Sequence, residues 1–216
     1  DLSSFKFFLS LGGDGTLLET LTHIGPAEIP ILGINMGRLG FLATINKSEI
    51  ANALEKIFAG AYSLDKRSLL RLETNKNIFN GVNFALNDFT VVKKDTSSMI
   101  TVHTYIDGEY LNSYWADGLI ISTPTGSTGY NLSCGGPLVF PRSGNFLITP
   151  VSPHNLTVRP IVVADSCEIT LEVEGRSTKF LVTLDSRIAT VDDSVKLKVL
   201  KESFKANLIQ FEGQHY

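Results

Sequence analysis

The chain has 216 residues, of which 43% are hydrophobic, and its formal net charge is −3. This length and composition are ordinary for a globular protein that buries its own core in one large domain or two small ones. Lys and Arg are scattered and do not outnumber the acidic residues, which argues against a nucleic-acid-binding protein. No apolar run approaches the ~20 residues of a membrane-spanning helix, so we predict a protein without a membrane partner.

The first part of the chain alternates between strands and helices. Strands are predicted at Phe5–Leu11 and Ile31–Ile34, and helices at Thr16–Ile24 and Ser48–Gly60. The second helix has Ser48 as a plausible N-cap and Gly60 where a C-terminal cap would end it. Another turn is expected at residues 37–40. Strands that alternate with helices indicate parallel pairing.

The second part of the chain has the pattern of antiparallel β-structure. Apolar residues alternate with polar ones over Ile100–Ile106, and Asp107-Gly108 can form a two-residue hairpin turn. The same alternation recurs over Ile169–Glu174 and Phe180–Leu184, on either side of Gly175. We therefore predict an α/β domain over residues 1–65, followed by an all-β domain over residues 66–216.

A glycine-rich turn lies between the first strand and the first helix, with the sequence Gly12-Gly13-Asp14-Gly15-Thr16. Glycines let the backbone approach a ligand closely, and the free N–H groups of the helix that follows favour a phosphate. A carboxylate beside a phosphate makes sense if Asp14 accepts a proton from a hydroxyl or contacts a metal on a nucleotide. The alternative is a tight turn in which Asp14 only caps the helix.

A hydroxyl-rich loop follows an apolar strand, in the run DGLIISTPTGSTGY that extends from Asp117 to Tyr130. Such a loop can surround ribose and phosphate with donors, and Tyr130 can stack on a ring. The alternative is a polar surface loop. Upstream, Asn87-Asp88 closes an apolar run and offers an amide and a carboxylate to a base or ribose, or else forms an Asx turn.

Taken in order, GGDGT, GINMGRLGF, LND and DGLIISTPTGSTGYNLSCGGP resemble the NAD kinase family, with matches over roughly residues 11–163. The resemblance implies an α/β nucleotide-binding domain and a β-sandwich that binds NAD, with the nucleotide site between them, in a homodimer or homotetramer. It also implies transfer of the γ-phosphoryl group of ATP to the 2′-hydroxyl of the adenosine ribose of NAD. The chain begins with Asp1 rather than Met, and we expect the family's first strand and helix to be missing upstream.

The resemblance assigns site residues one by one. It implies that Asp14 is the catalytic carboxylate, that Phe41 lies beside the adenine, and that Asp117 lies near the nicotinamide end. The residues that it predicts to bind substrate are Gly15, Phe41, Asn87, Asp88, Asp117, Thr125, Thr128, Gly129, Tyr130, Asn131, Leu132, Ser133 and Arg187. No His, Cys or carboxylate cluster has metal-ligand spacing, so we expect no protein metal site and Mg²⁺ that arrives with ATP.

Three positions depart from the family pattern. Asp88 stands where Glu is usual, and Trp115 stands where a basic residue is frequent. Residues 184–187 replace the common Asp-Gly-Gln, so Arg187 is either a phosphate ligand or part of an exposed ion pair.

Two alternatives to NAD kinase remain from the residues themselves. A lipid kinase can carry the same GGDGT turn, and a non-catalytic NAD(P)-binding protein needs no carboxylate at Asp14. The two cysteines, Cys134 and Cys167, are expected to be reduced thiols in a cytoplasmic protein.

Overall fold

The computed structural model describes residues 2–37, 40–94 and 98–213. The chain divides into two compact units, and the second comprises Ser68–Ser203. The first unit comprises the chain up to Arg67 together with the segment from Phe204 onward. The predicted second domain ran to residue 216, whereas the end of the chain belongs to the first unit. Across the described ranges, no helix combines the length and the apolar character needed to cross a membrane.

The first unit is built on short parallel strands. Its elements are a 3-10 helix (Leu2–Ser4), β1 (Phe8–Gly12), α1 (Asp14–Ile24), a 3-10 turn (Gly25–Ala27), β2 (Ile31–Asn35), β3 (Ile45–Asn46), a 3-10 turn (Lys47–Glu49), α2 (Ile50–Phe58) and the start of β4 (Ser63–Thr74). Strand β2 pairs in parallel with β1, with β3 and with the end of the last strand, Leu197–Gln210. The parallel pairing predicted from the alternation is confirmed. The turn predicted at residues 37–40 includes residues 38 and 39, which lie outside the described residues.

The helices of the first unit bury one face each. Helix α1 buries Leu17 and Leu21 at a spacing of four residues, as its apolar pattern predicts. The predicted N-cap of the second helix, Ser48, is wrong. A 3-10 turn precedes α2, and its capping box uses Asn46, whose backbone N–H donates to Glu49 Oε2 at 2.9 Å. Gly60 lies just beyond the helix with φ +72°, a conformation that favours glycine.

The second unit consists almost entirely of strands. These are β5 (Phe84–Ala85), β6 (Asp88–Lys93), β7 (Ile100–Ile106), β8 (Glu109–Ala116), β9 (Gly118–Ser122), β10 (Asn145–Val151), β11 (Ile161–Ala164), β12 (Ile169–Glu174), β13 (Lys179–Leu184), β14 (Arg187–Asp192) and the start of β15 (Leu197–Gln210). A 3-10 turn (Thr125–Thr128) and a short helix α3 (Tyr130–Ser133) lie between β9 and β10. The hairpin predicted at Asp107-Gly108 joins β7 to β8, with positive φ at both residues.

Two antiparallel sheets share one core in the second unit. One has the order β15-β12-β7-β8, and the other has the order β11-β10-β9-β6-β13-β14. Both contribute fully buried side chains to the same cluster, among them Val102, Tyr114 and Ile169 from the first sheet and Phe89, Phe146 and Val182 from the second. This arrangement is a β-sandwich. The predicted fold class, an α/β part followed by an all-β part, is confirmed.

The two strands that flank Gly175 belong to different sheets. Strand β12 pairs with β7, whereas β13 pairs with β6 and β14. Each strand turns its apolar residues toward the shared core, so alternation alone does not distinguish a hairpin from a crossing between sheets. The β13–β14 hairpin lies beside β6, which is important for the site described below.

Candidate functional site

The glycine-rich turn of the first unit places Asp14 at the start of α1. Its carboxylate accepts three consecutive backbone hydrogen bonds: Oδ2 from Phe41 N at 2.9 Å, and Oδ1 from Leu42 N and Ala43 N at 3.0 Å each. A carboxylate has about four acceptor positions, so these bonds leave room for one further donor. Asp14 therefore holds the 41–43 loop and can still accept a hydrogen bond from a ligand.

Glycines around Asp14 have different roles. A Cβ at Gly40 would lie 2.2 Å from Asp14 Oδ1, so only glycine lets the loop pass over the carboxylate. Within the described part of the chain, a Cβ at Gly13 or Gly15 would meet no atom within 4 Å. The backbone on both sides of Asp14 is thus open to a ligand. Phe41 is 72% exposed, so its ring is available as an apolar surface.

In the second unit, Asn87 and Asp88 lie against the hydroxyl-rich loop. Asp88 opens β6 and is opposite Ser122 at the end of β9. The backbone carbonyl of Asn87 accepts hydrogen bonds from Thr123 N at 2.8 Å and Ser122 Oγ at 3.2 Å. A Cβ at Gly126 would lie 2.2 Å from that same carbonyl oxygen. The fold therefore brings together the two motifs that sequence analysis singled out separately.

Many hydroxyls of the loop hold the loop itself. Thr123 Oγ1 donates to the Leu86 carbonyl and accepts from Gly126 N at 3.2 Å. Thr128 Oγ1 donates to the Thr125 carbonyl at 3.3 Å, and Thr125 is buried. The density of hydroxyls thus serves largely to satisfy buried backbone groups. Thr128 remains half-buried, whereas Thr125 is not at the surface.

Asn131, a predicted substrate-binding residue, has its side chain engaged inside the protein. It is fully buried, and its Nδ2 donates to the carbonyls of Ser127 and Pro137 at 3.1 Å each. Its Oδ1 accepts from Thr149 Oγ1 at 2.6 Å. A side chain with both polar atoms engaged inside the protein holds the loop in place, so we assign Asn131 that role.

Helix α3 presents the remaining residues of the motif to solvent. Tyr130 is 44% exposed and Leu132 is 46% exposed, and Gly129 and Ser133 are also exposed. Burial raises the pKa of Tyr130, and the nearby Cys134, Asp117 and Asp88 raise it further. The electrostatic effect of Asp117 and Asp88 means that Tyr130 lies within electrostatic range of both predicted substrate-binding carboxylates. Burial also raises the pKa of the Cys134 thiol, which is consistent with a reduced cysteine.

Asp88 is a buried carboxyl with an unusual charge state. Burial, and then the negative charge of Asp185, raises its pKa from 3.8 to about 7, against a hydrogen bond from Thr90 that lowers it. The Thr90 Oγ1 to Asp88 Oδ1 distance is 3.3 Å. Asn87 is partly exposed, and its side-chain amide has no hydrogen-bond partner among the described residues. The pair thus offers one free amide and one carboxyl that changes charge near neutral pH.

Asp117 is paired with a residue that sequence analysis did not identify. Lys93 Nζ lies 2.7 Å from Asp117 Oδ1, and Lys93 N donates to the Asp117 carbonyl at 2.9 Å. Trp115, two residues earlier, is half exposed, and its ring centroid lies 4.3 Å from that of His154. Lys93 therefore brings a cation close to Asp117, although a basic residue is absent at Trp115.

Arg187, predicted as a phosphate ligand or as part of an exposed ion pair, contacts backbone carbonyls of its own unit. Its guanidinium donates to the carbonyls of Val82 and Phe84. It also lies 5.8 Å from the ring centroid of Phe79 and 5.9 Å from that of Phe84. Burial lowers its pKa, and Asp185 opposes that effect. Its donors point at backbone carbonyls, so Arg187 fixes the segment before Asn87.

Sequence analysis missed Asp185, although its position in a replaced motif was noted. Its Oδ2 accepts from Leu86 N at 2.9 Å, and its Oδ1 accepts from Asn87 N at 2.8 Å and Asp88 N at 3.3 Å. Only the fold shows these partners, because they lie almost a hundred residues away. As to metals, no group of three or more His, Cys, Asp or Glu side chains in the described ranges could hold an ion.

The first unit has a carboxylate at an open glycine turn, and the second has the Asn87–Asp88 pair against a structured loop. Each feature is compatible with a phosphotransferase that binds a nucleotide. The family models that match are described as the ATP-NAD kinase N-terminal domain, over residues 2–62, and the ATP-NAD kinase C-terminal domain, over residues 86–211. The chain belongs to the NAD kinase family. This membership separates it from the lipid kinases that share the GGDGT turn.

Relatives and solved structures agree with that membership. The chain is 56% identical to an NAD kinase of Cytophaga hutchinsonii, over 100% of this chain and 74% of the relative, and 53% identical to one of Flavobacterium psychrophilum, over 99% and 73%. An NAD kinase structure from Archaeoglobus fulgidus in complex with ATP has a TM-score of 0.84 at 30% identity, over 98% of this chain and 80% of that chain. A yeast NADH kinase complexed with NADH has a TM-score of 0.88 at 25% identity, over 96% of this chain. This chain spans 64% of the yeast chain's length.

Proposed function

We propose that this chain transfers the γ-phosphoryl group of ATP to the 2′-hydroxyl of the adenosine ribose of NAD and so makes NADP. The observation that carries the proposal is Asp14, a carboxylate with a free acceptor position, flanked by open backbone at Gly13 and Gly15. A protein that only bound NAD(P) would have no need of such a base.

The chemical step is an in-line transfer between two oxygens. The ribose 2′-oxygen forms a bond to the γ-phosphorus, the bond from that phosphorus to the β–γ bridging oxygen breaks, and ADP leaves. Asp14 accepts the 2′-hydroxyl proton and later releases it to solvent. The Mg²⁺ that we expect comes bound to ATP, as part of that substrate, and supplies positive charge next to the phosphates.

Residues of the second unit recognise NAD in this proposal. The free Asn87 amide pairs with the edge of the adenine, and Asp88 accepts hydrogen bonds from ribose hydroxyls. Tyr130 offers its exposed ring, with Thr128, Gly129, Leu132 and Ser133 around it. Asp117 and its partner Lys93 serve the nicotinamide end.

We also propose that the protein acts in the cytoplasm as a homodimer or homotetramer. Free thiols at Cys134 and Cys167 suit a reducing compartment. On the β7–β8 hairpin, Tyr110 is 60% exposed and its ring centroid lies 5.9 Å from that of the half-buried Tyr105. Exposed tyrosine rings are enriched at protein interfaces. Light scattering of the purified protein measures the assembly directly.

The test of the activity is incubation with ATP, Mg²⁺ and NAD, followed by detection of NADP with an NADP-specific dehydrogenase. We expect NADP in proportion to time and enzyme. Tight binding of NAD by a folded protein that forms no NADP would leave the non-catalytic binder as the correct assignment. Inorganic polyphosphate in place of ATP, and NADH in place of NAD, define the donor and acceptor range.

A further inference from the structure

The turn between β13 and β14 is joined to the Asn87–Asp88 segment in both directions. The Asp185 carboxylate accepts hydrogen bonds from the backbone N–H groups of Leu86, Asn87 and Asp88. In return, Asp185 N donates to the Asp88 carbonyl at 3.0 Å. Asp185 itself has φ +51°, a left-handed conformation that Asp adopts more readily than most residues other than glycine. Four hydrogen bonds therefore connect one residue of the turn to three consecutive residues of the other segment.

The same hairpin also holds the chain just before Asn87. Arg187 donates to the carbonyls of Val82 and Phe84, so the segment from residue 82 to residue 88 is held at both ends by two residues of one hairpin. Arg187 and Asp185 also favour each other's charged forms. The position of the Asn87 and Asp88 side chains is thus set by a turn that sequence analysis did not connect with them.

We propose that Asp185 is a positioning residue for NAD binding, which holds Asn87 and Asp88 in the geometry that recognises the adenosine of NAD. The inference rests on the proposed function, because it needs Asn87 and Asp88 to contact NAD. Asp185 contacts the backbone of these residues, and its effect on NAD passes through them.

The charge of Asp185 gives the inference a second consequence. The groups that interact electrostatically or by a hydrogen bond with the Asp88 carboxyl are Asp185 from the β13–β14 turn, Thr90 from its own strand, Tyr130 on α3 and Cys134 just after α3. Burial raises the pKa of Cys134 and of Tyr130 from values that are already above neutral, so neither group gains charge as the pH approaches 7. Burial raises the pKa of Asp185 as well, while Arg187 and three backbone donors oppose that effect. Removal of the like charge at Asp185 should let Asp88 ionise at lower pH.

Two substitutions separate geometry from charge. Asn is tolerated at a positive φ, so Asp185→Asn can keep the turn and an oxygen for Asn87 and Asp88 while it removes the charge. Asp185→Glu keeps the charge and displaces the oxygens by one methylene. Calorimetric titration with NAD at a series of pH values around 7 measures both variants. Asp192→Asn, an exposed carboxylate of β14 paired with Lys76, is the matched control.

In the wild-type protein, NAD should bind more tightly as pH rises through about 7, because ionised Asp88 accepts hydrogen bonds from hydroxyls. Asp185→Asn and Asp185→Glu should each weaken binding by about tenfold, the equivalent of roughly one lost hydrogen bond. Asp185→Asn should also shift the pH midpoint of binding to lower pH, whereas Asp185→Glu and Asp192→Asn should leave it in place. Unchanged affinity for either Asp185 variant would overturn the inference, and Asp185→Glu alone decides it if Asp185→Asn does not fold.

Failure of the inference can be distinguished from failure of the proposed function. Asn87→Ala and Asp88→Asn act on the proposed contacts themselves. If neither weakens NAD binding, the assignment of the adenosine site is wrong and the inference fails with it. If both weaken binding but the Asp185 variants match the wild type, only the positioning role is wrong.

Discussion

The carboxylates of Asp14 and Asp185 make the same set of hydrogen bonds in two different units. In each case Oδ2 accepts from the first of three consecutive backbone N–H groups, and Oδ1 accepts from the next two. The segments that they hold are Phe41–Ala43 in the first unit and Leu86–Asp88 in the second. One local arrangement thus fixes both loops.

The surroundings of the two carboxylates differ. Asp14 is flanked by Gly13 and Gly15, where the backbone is open to a ligand. Asp185 has Arg187 and the buried Asp88 as its neighbouring titratable groups. Because both carboxylates accept the same three backbone hydrogen bonds, these bonds alone do not define the function of either residue. Open backbone on both sides makes Asp14 a candidate base, whereas the neighbouring Asp88 and Arg187 suit Asp185 to the positioning role proposed above.

We expect the largest effect on activity from a substitution of Asp14, the carboxylate that we propose as the base. Asp14→Asn keeps the shape and an oxygen for two of the three N–H groups, but it cannot accept a proton at neutral pH. We expect kcat to fall by about 10²–10⁴, with little change in NAD affinity. Single-turnover and steady-state kinetics at several Mg²⁺ concentrations measure the loss and separate it from weaker metal positioning.

Gly40→Ala is the control for that experiment. The added Cβ would lie 2.2 Å from Asp14 Oδ1 and displace the loop without removal of the carboxylate. If Gly40→Ala lowers kcat as much as Asp14→Asn does, loop position explains the loss. A near-wild-type kcat for Asp14→Asn would leave Asp14 as a structural residue like Asp185.

The effect of Asp88→Asn on the free energy of unfolding tests whether the carboxyl of Asp88, beside Asp185, titrates near neutral pH. Because the folded-state pKa of Asp88 is about 7 and its ordinary value is 3.8, the folded protein keeps a proton that the unfolded chain loses within this window. The titration of Asp88 therefore lowers the free energy of unfolding as pH rises from about 4 to about 7. The full destabilisation from this buried carboxylate is present above pH 7.

At pH 8 we expect Asp88→Asn to raise the free energy of unfolding by about 1–4 kcal/mol, and to leave it nearly unchanged at pH 4. Urea unfolding at both pH values measures the difference. An equal increase in the free energy of unfolding at pH 8 and at pH 4 would show that Asp88 titrates normally and that Asp185 does not affect its charge.

Local sequence patterns were sufficient for much of the fold. The Leu17 and Leu21 spacing predicted α1, and Asp107-Gly108 predicted a hairpin because both residues adopt positive φ with little strain. Alternation also predicted an all-β second part. It could not assign β12 and β13 to different sheets, since both strands bury one face in the same core.

The candidate site was predictable in its motifs but not in its contacts. Asn131 lies in a motif rich in residue types that often bind ligands. Its side chain is hydrogen-bonded inside the protein to Thr149 on β10, a contact that the sequence does not reveal. Arg187 resembles a phosphate ligand in isolation, but its partners lie more than a hundred residues upstream. The same separation concealed Asp185. Tertiary structure decides whether such a side chain meets a ligand or the backbone.

Asn87→Ala tests the segment that Asp185 holds. The backbone of Asn87 keeps its bonds to Asp185 and Thr123, so the substitution removes only the free amide. We expect NAD binding to weaken by about 1–3 kcal/mol because a base edge loses its partner. Calorimetric titration measures it, with Asn75→Ala, whose amide bonds to Ser194, as the control. If Asn87→Ala binds NAD as tightly as the wild type does, the Asn87–Asp88 pair forms only a structural turn.

Tyr130→Ala has the smallest expected effect and tests the exposed side of the site. Because Tyr130 is 44% exposed, its loss should change the melting temperature little, while the KM for NAD should rise by about 2- to 10-fold as an aromatic contact disappears. Tyr130→Phe keeps the ring and removes the hydroxyl that lies near Asp88 and Asp117. If Tyr130→Phe has the wild-type KM for NAD, the ring is responsible for the effect of Tyr130→Ala. If the KM of Tyr130→Phe is also high, the hydroxyl is responsible. Tyr62→Ala, at 38% exposure in the first unit, controls for the loss of a surface tyrosine. A collapse of the melting temperature with unchanged KM would instead make Tyr130 a core residue.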